Sequence, residues 1–291
     1  MFVRHVMPVD VEVELTGLEG EAGAAGEAGD AARLVAATRP LAARVDPSRT
    51  LSIQARLFAE VAYRPFVINE ALAASFAAPI DVRRPAWIVS VVVARRPSDG
   101  ALRAWVGLST AADNLSDWAG GARRIAADPA EVSRAEKKLV EALEVFGLEA
   151  PRGGTAIDLG AAPGGWTRVL RARGLSVHAV DPGALDPRVG ALPGVVWHPT
   201  TAERFLVHAE PVDVLVADMK MDARDAARLV GRYAPKVRRF AVLTLKLPER
   251  GARAVAQAGL ALLERDWRVL GARQLFHNRS EVTVALAPRG V

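Results

Sequence analysis

Ala156-Ile157-Asp158-Leu159-Gly160-Ala161-Ala162-Pro163-Gly164-Gly165-Trp166-Thr167 is the stretch that decides the fold. The apolar residues up to Leu159 read as a buried strand, the glycines as a tight turn, and Gly165 onward as the start of a helix. In an alternating α/β chain such a turn is a crossover at which a ligand can approach the backbone. Asp181 ends the next strand candidate, about 20 residues on, where a carboxylate can accept hydrogen bonds from ribose hydroxyls. The glycines alone would also suit a ligand-free turn; with Asp181 in place, a nucleoside-containing cofactor is expected. The dinucleotide fingerprint fits poorly, because Ala162 replaces its second glycine and Pro163 removes an N–H that a pyrophosphate would use. S-adenosylmethionine carries no phosphate and is the expected cofactor.

Working outward, strand candidates fall at 156–160, 176–181, 195–198, 212–218 and 240–246, with helical stretches at 165–173, 222–233 and 249–264. Ser133-Arg134-Ala135-Glu136 reads as a capping box. It opens a helix with the apolar stripe Ala135, Leu139, Ala142, Leu143 and Phe146, closed by Gly147. The chain finishes with a strand pair, 268–276 and 282–287, joined by His277-Asn278-Arg279-Ser280. Alternating strands and helices define a doubly wound, mostly parallel sheet, and the terminal hairpin adds one antiparallel strand.

The first half differs. Residues 17–32, GLEGEAGAAGEAGDAA, are acidic and of low complexity, and are expected to form a flexible loop or linker. Residues 51–57 alternate like a strand, and Asn69 is placed to cap a helix running to Phe76. Stretches 87–94 and 102–108 flank the turn Pro97-Ser98-Asp99-Gly100 and predict a hairpin. Residues 109–129 read as a connection. The expected division is an N-terminal segment 1–49, a small α/β domain 50–128 and a larger domain 129–291.

Composition narrows the chemistry. With 51% hydrophobic and 24% charged residues in 291, the chain is globular. The lack of cysteine excludes disulfides, Cys-ligated metal centres and thiol catalysis. His5, His178, His198, His208 and His277 show no ligand spacing, so no metal is expected. A formal charge of +5 permits an acidic partner without requiring one. No apolar run approaches the roughly 18 residues of a membrane helix, and Met1-Phe2-Val3-Arg4-His5 lacks the pattern of a signal peptide. A soluble, cytoplasmic protein is expected.

Residues 158–166 resemble the signature of the FtsJ-like ribose 2′-O-methyltransferases. So do Ser133-Arg134-Ala135-x-x-Lys138-Leu139, Ala217-Asp218-Met219, Leu245-Lys246-Leu247-Pro248, Ala272-Arg273-Gln274-Leu275-Phe276-His277 and Ser280-Glu281-Val282-Thr283-Val284. The Leu-Lys-Leu-Pro and Ala-Arg-Gln-Leu segments look most like the large-subunit methyltransferase M branch, which methylates a cytidine ribose in 23S rRNA. The resemblance runs from Ser133 to the C-terminus. It implies a Rossmann-like class I methyltransferase sheet and an RNA partner, 23S rRNA or a large-subunit precursor. It also implies that 51–109 is a smaller THUMP-like RNA-binding domain; the first fifty residues are short for the ferredoxin-like domain that precedes it in the family. Cofactor contacts are implied for Asp158, Gly160, Ala161, Ala162, Pro163, Gly164, Gly165, Trp166, Asp181, Thr201 and Asp218. Thr201 stands near where family members often carry an acidic residue for adenine. Asp158 suits either the methionine end of the cofactor or the N–H groups of its own turn, and Trp166 suits packing better than base stacking.

Asp218 and Lys246 end successive parallel strands, and Glu281 begins the antiparallel one, so all three belong to one edge of the sheet. Lys138 lies off the apolar stripe of the capped helix and can reach the same edge. The resemblance assigns these four positions to a catalytic tetrad. Close lysines depress each other's pKa, and Lys246 is expected to act as general base on the ribose hydroxyl. Asp218 would orient it, while Lys138 and Glu281 hold the ribose. Surface salt bridges at strand ends are the plain alternative. A non-catalytic RNA-binding protein with this fold is the alternative function. Arg228, Arg232, Lys236, Arg238 and Arg239 suit either phosphate contact or a solvated face.

Overall fold

Strands rich in Val, Leu and Ala, separated by helices with one apolar face, can bury both sheet surfaces only by placing helices on each side. The computed structural model of the chain describes residues 5–17, 29–116, 118, 121–123, 125–126 and 128–290. They form two compact units that divide after residue 123.

The first unit contains β1 (Val11–Glu14), α1 (Asp30–Ala42), β2 (Leu51–Leu57), α2 (Pro65–Ala73), β3 (Trp87–Arg95) and β4 (Leu102–Thr110). The sheet order is β1-β4-β3-β2, with β2 and β3 parallel and the other pairs antiparallel. Leu34, Leu41, Ile68 and Leu72 from the helices meet Ile53, Val89, Val91 and Val106 from the strands in one core.

Three local expectations need correction here. The described residues of the expected segment 1–49 do not stand apart, because β1 pairs with β4 (Val11 opposite Val106) and α1 packs into the same core. The expected loop 17–32 ends in the first turn of α1, while 18–28 lie outside the described residues. Asp30 is fully buried; it accepts hydrogen bonds from Thr16 N at 2.7 Å, Thr16 Oγ1 at 2.9 Å, Gly17 N at 2.8 Å and Tyr63 Oη at 2.6 Å. Asn69 sits inside α2, which Pro65 opens, and its Oδ1 accepts from Ala55 N on β2.

The second unit contains α3 (Ala135–Val145), β5 (Thr155–Leu159), α4 (Gly165–Ala172), β6 (Ser176–Val180), α5 (Pro187–Gly190), β7 (Val195–His198) and α6 (Ala202–Phe205). It continues with β8 (Val212–Ala217), α7 (Ala223–Tyr233), β9 (Val237–Lys246), α8 (Ala252–Asp266), β10 (Trp267–Arg273) and β11 (Glu281–Pro288). Its seven strands are ordered β10-β11-β9-β8-β5-β6-β7, and β11 runs antiparallel between β9 and β10. Leu139 and Ala142 of α3 and Leu170 of α4 pack on one face with Val177, Val214 and Val242. Residues of α6, α7 and α8 cover the other face with Ile157, Leu215 and Leu243. This is the doubly wound sheet the sequence predicts. The capping box is displaced by one residue: Ser133 Oγ accepts from Ala135 N, and Glu136 reaches back to Val132 N at 2.8 Å. Among the described residues no helix is long and apolar enough to cross a membrane.

Two histidines tie the β6–β7 edge together: His178 Nδ1 and His198 Nε2 lie 3.0 Å apart beside Phe205. Burial, with a smaller contribution from His178, holds His198 below its usual pKa. The unfolded chain therefore binds a proton at a pH where the folded one does not, near the ordinary histidine value of about 6.5. Stability from this pair is present above that pH and is lost as pH falls below it. Melting curves between neutral and acid pH should show this loss, and His198→Leu should shrink it. An identical acid slope in wild type and variant would contradict the assignment.

Candidate active site

At the carboxyl edge of the sheet, β9 ends at Lys246 directly opposite Glu281, the first residue of β11. Asp218 follows β8, the neighbour of β9 on its other side. Its backbone N–H donates to Leu159 O at 3.2 Å, so it sits beside the glycine turn. Lys138 comes from α3, whose Leu139 and Ala142 are buried in the core. The four side chains close an alternating ring of charges. Lys138 Nζ contacts Asp218 Oδ2 at 3.2 Å and Glu281 Oε1; Lys246 Nζ contacts Asp218 Oδ1 and, at 2.5 Å, Glu281 Oε2. Each ammonium touches both carboxylates. Side-chain exposure rises from 5% at Glu281 through 13% at Asp218 and 17% at Lys138 to 30% at Lys246, so Lys246 is the most open to an incoming group.

The electrostatics differ from the sequence expectation. Two carboxylates lie between the lysines, so mutual repulsion does not dominate. Burial pulls Lys246 down, but the Asp218 and Glu281 contacts outweigh it and hold its pKa above the ordinary lysine value. Burial likewise pushes Asp218 up, and the two lysines together with Thr244 more than reverse it. Thr244 Oγ1 donates to Asp218 Oδ1 at 2.6 Å. The sequence reading missed this residue, although its position two before Lys246 puts it on the same face of β9.

The glycine turn is built by close approach. A Cβ on Gly160, whose φ is +78°, would lie 3.0 Å from Met219 Cγ and 3.1 Å from Asp218 O. Gly164, with φ +110°, would place one 2.8 Å from Val189 Cγ1. Both conditions select glycine. Asp181 Oδ2 accepts from Ala162 N at 3.1 Å and Oδ1 from Gly183 N at 2.7 Å. A carboxylate has about four lone-pair sites, so acceptor capacity remains for a ribose.

The eleven positions expected to contact a cofactor separate by burial. Gly160, Ala162, Asp181 and Asp218 are half-buried, and Pro163 and Thr201 are exposed. Asp158, Ala161, Gly164, Gly165 and Trp166 are covered by the protein itself. Asp158 accepts from Thr167 Oγ1 at 2.7 Å, bracing the first turn of α4, and burial pushes its pKa up to about 7. Trp166 Nε1 donates to Ala135 O at 2.7 Å, tying α4 to α3. Thr201 caps α6, its hydroxyl oxygen accepting from Arg204 N. Asp158 and Trp166 therefore brace the turn from inside, whereas Thr201 is exposed at the start of α6. Among the described residues no group of three or more His, Asp or Glu is placed to hold a metal ion.

Residues 131–242, which carry the glycine turn and Asp218, match the family model of FtsJ-like methyltransferases. Among curated relatives, the Ribosomal RNA large subunit methyltransferase M of Halorhodospira halophila is 39% identical over 171 residues, 57% of this chain and 50% of that protein. The protein of the same name from Methylococcus capsulatus is 37% identical over 186 residues, 60% of this chain and 52% of the relative. That from Laribacter hongkongensis is 40% identical over 187 residues, 58% and 52%. The chain spans about half the length of the curated relatives it matches.

Proposed function

We propose that the protein transfers a methyl group from S-adenosylmethionine to a ribose 2′-hydroxyl of RNA, a cytidine of 23S rRNA or of a large-subunit precursor. The observation that carries this reading is the ring Lys138–Asp218–Lys246–Glu281 beside the glycine turn. S-adenosylmethionine, when bound, supplies an electrophilic methyl group. Gly160, Ala162 and Asp181 would hold it, with Asp181 accepting from its ribose. Asp218 and Glu281 position Lys246, and Lys138 balances their charge. Lys246, once neutral, takes the hydroxyl proton as the ribose oxygen attacks. The unit before residue 123 fits the role of a THUMP-like RNA-docking module, and the chemistry fits a cytoplasmic setting.

The test combines calorimetry with mapping of ribose methylation on rRNA. The purified protein is expected to bind S-adenosylmethionine and not NAD, and one ribose in 23S rRNA should lose its methyl group in cells without the gene. Asp181→Ala removes an acceptor for the cofactor and also frees Ala162 N. Losing a hydrogen bond to a charged group costs about 1.5–3 kcal/mol, so cofactor affinity should fall roughly 10-fold or more. Unchanged affinity in that variant would sink the cofactor assignment. Binding without any methyl transfer would instead favour a non-catalytic RNA-binding role.

A further inference from the structure

The segment between β10 and β11 holds an exposed aromatic on an unusually well-fixed backbone. Phe276 is 37% exposed, although its neighbour Leu275 is buried in the core. The Glu141 side chain on α3, 3% exposed, accepts from Phe276 N at 2.8 Å and from His277 N at 3.0 Å, and bonds His277 Nδ1 at 2.7 Å. Asn278 Oδ1 accepts from Leu275 N at 2.8 Å and Thr283 Oγ1 at 3.0 Å, and Gln274 Nε2 donates to Arg279 O at 2.8 Å. The loop then joins the ring directly: Leu247 N donates to Ser280 O at 2.8 Å, one residue before Glu281.

Placement follows from the helix. Lys138 and Glu141 are three residues apart on α3, so their Cβ atoms are about 5–6 Å from each other. Glu141 grips the backbone of Phe276, so the segment that carries this exposed ring is anchored one helical turn from Lys138, and it leads directly into Glu281. A rigid, outward aromatic loses little freedom on stacking. The surroundings are polar rather than apolar: Arg279 and Ser280 are exposed, and Arg279 has no ion pair among the described residues. A flat ring with a free guanidinium close by in the chain suits a base and its phosphate better than a protein surface.

We propose that Phe276 is the stacking platform for a nucleobase at or next to the reacting ribose, so that the substrate is an unpaired nucleotide. This rests on the ribose-methylation reading above, but its test does not require turnover. Full-length protein is titrated into fluorescent single-stranded RNA of mixed sequence and into the same RNA in duplex, followed by anisotropy. Phe276→Ala should weaken binding of the single strand by about tenfold, the order of one base–aromatic stack, with much less effect on the duplex. Phe276→Trp should retain affinity, and Phe276→Leu should lose it, because stacking and not apolar contact is required. Melting temperature and S-adenosylmethionine affinity should be unchanged in all three. Wild-type affinity in the alanine or leucine variant, or equal losses on single strand and duplex, would overturn the platform. Stacking with no methyl transfer in the wild type would overturn the reaction and leave the platform standing.

Discussion

Lys246→Arg is expected to reduce methyl transfer by about 10²–10⁴-fold, the span of a lost general base, while leaving S-adenosylmethionine affinity intact. Arginine keeps the positive charge and can satisfy Asp218 and Glu281, but it does not deprotonate at accessible pH. Even at an ordinary lysine pKa near 10.4, only about one molecule in 2,500 is neutral at pH 7. The two carboxylates hold Lys246 above that value, so the reactive form is scarcer still. The sign of the pH dependence follows. Activity should climb roughly tenfold per pH unit through the mildly alkaline range, with no plateau near neutrality. Initial rates of wild type and variant across that range test both statements. Near-normal rates in the arginine variant would mean that Lys246 acts as a fixed charge, with the proton leaving to Asp218 or water.

The second large effect is on folding. Glu141→Ala should destabilise the second unit by about 3 kcal/mol, because it strips a charged acceptor from two backbone N–H groups and from His277. For a domain of 150–250 residues that lowers the melting temperature by about 6–12 °C. Glu141→Gln keeps one acceptor oxygen and should lose less. Calorimetric melting of both variants is the measurement; an unchanged transition for the alanine form would show that the loop is held by its other contacts.

The strand ends were legible because an alternating chain obeys a simple rule: whatever ends a parallel strand or begins an antiparallel neighbour faces the same edge. Asp218, Lys246 and Glu281 follow it, and the register pair Lys246–Glu281 is its direct expression. What the sequence could not carry was the order of the charges. Two lysines and two carboxylates on one edge can lie with like charges adjacent or alternating. Only the alternating ring raises Lys246 where a bare lysine pair would lower it. Glu141 and Asp30 were invisible for a related reason. Each is a carboxylate whose burial depends on partners far along the chain, His277 in one case and Tyr63 in the other. The strand Val11–Glu14 did carry a readable signal, the Val-Glu-Val-Glu alternation, masked by the low-complexity residues that follow it. The sequence did not show that Thr201 is also the N-cap of α6, a common place for a hydroxyl before a helix.

Lys138 stands in the first helix of its unit and Glu281 opens its last strand, with the other two members of the ring between them. Contacts at such separation come late in folding, since loop closure opposes them until the intervening elements have docked. A growing polypeptide therefore contains its glycine turn long before it contains Lys246 and Glu281. A chain stopped before residue 281 would carry the turn with an open ring, because Lys138 and Lys246 would lack the Glu281 carboxylate that joins them.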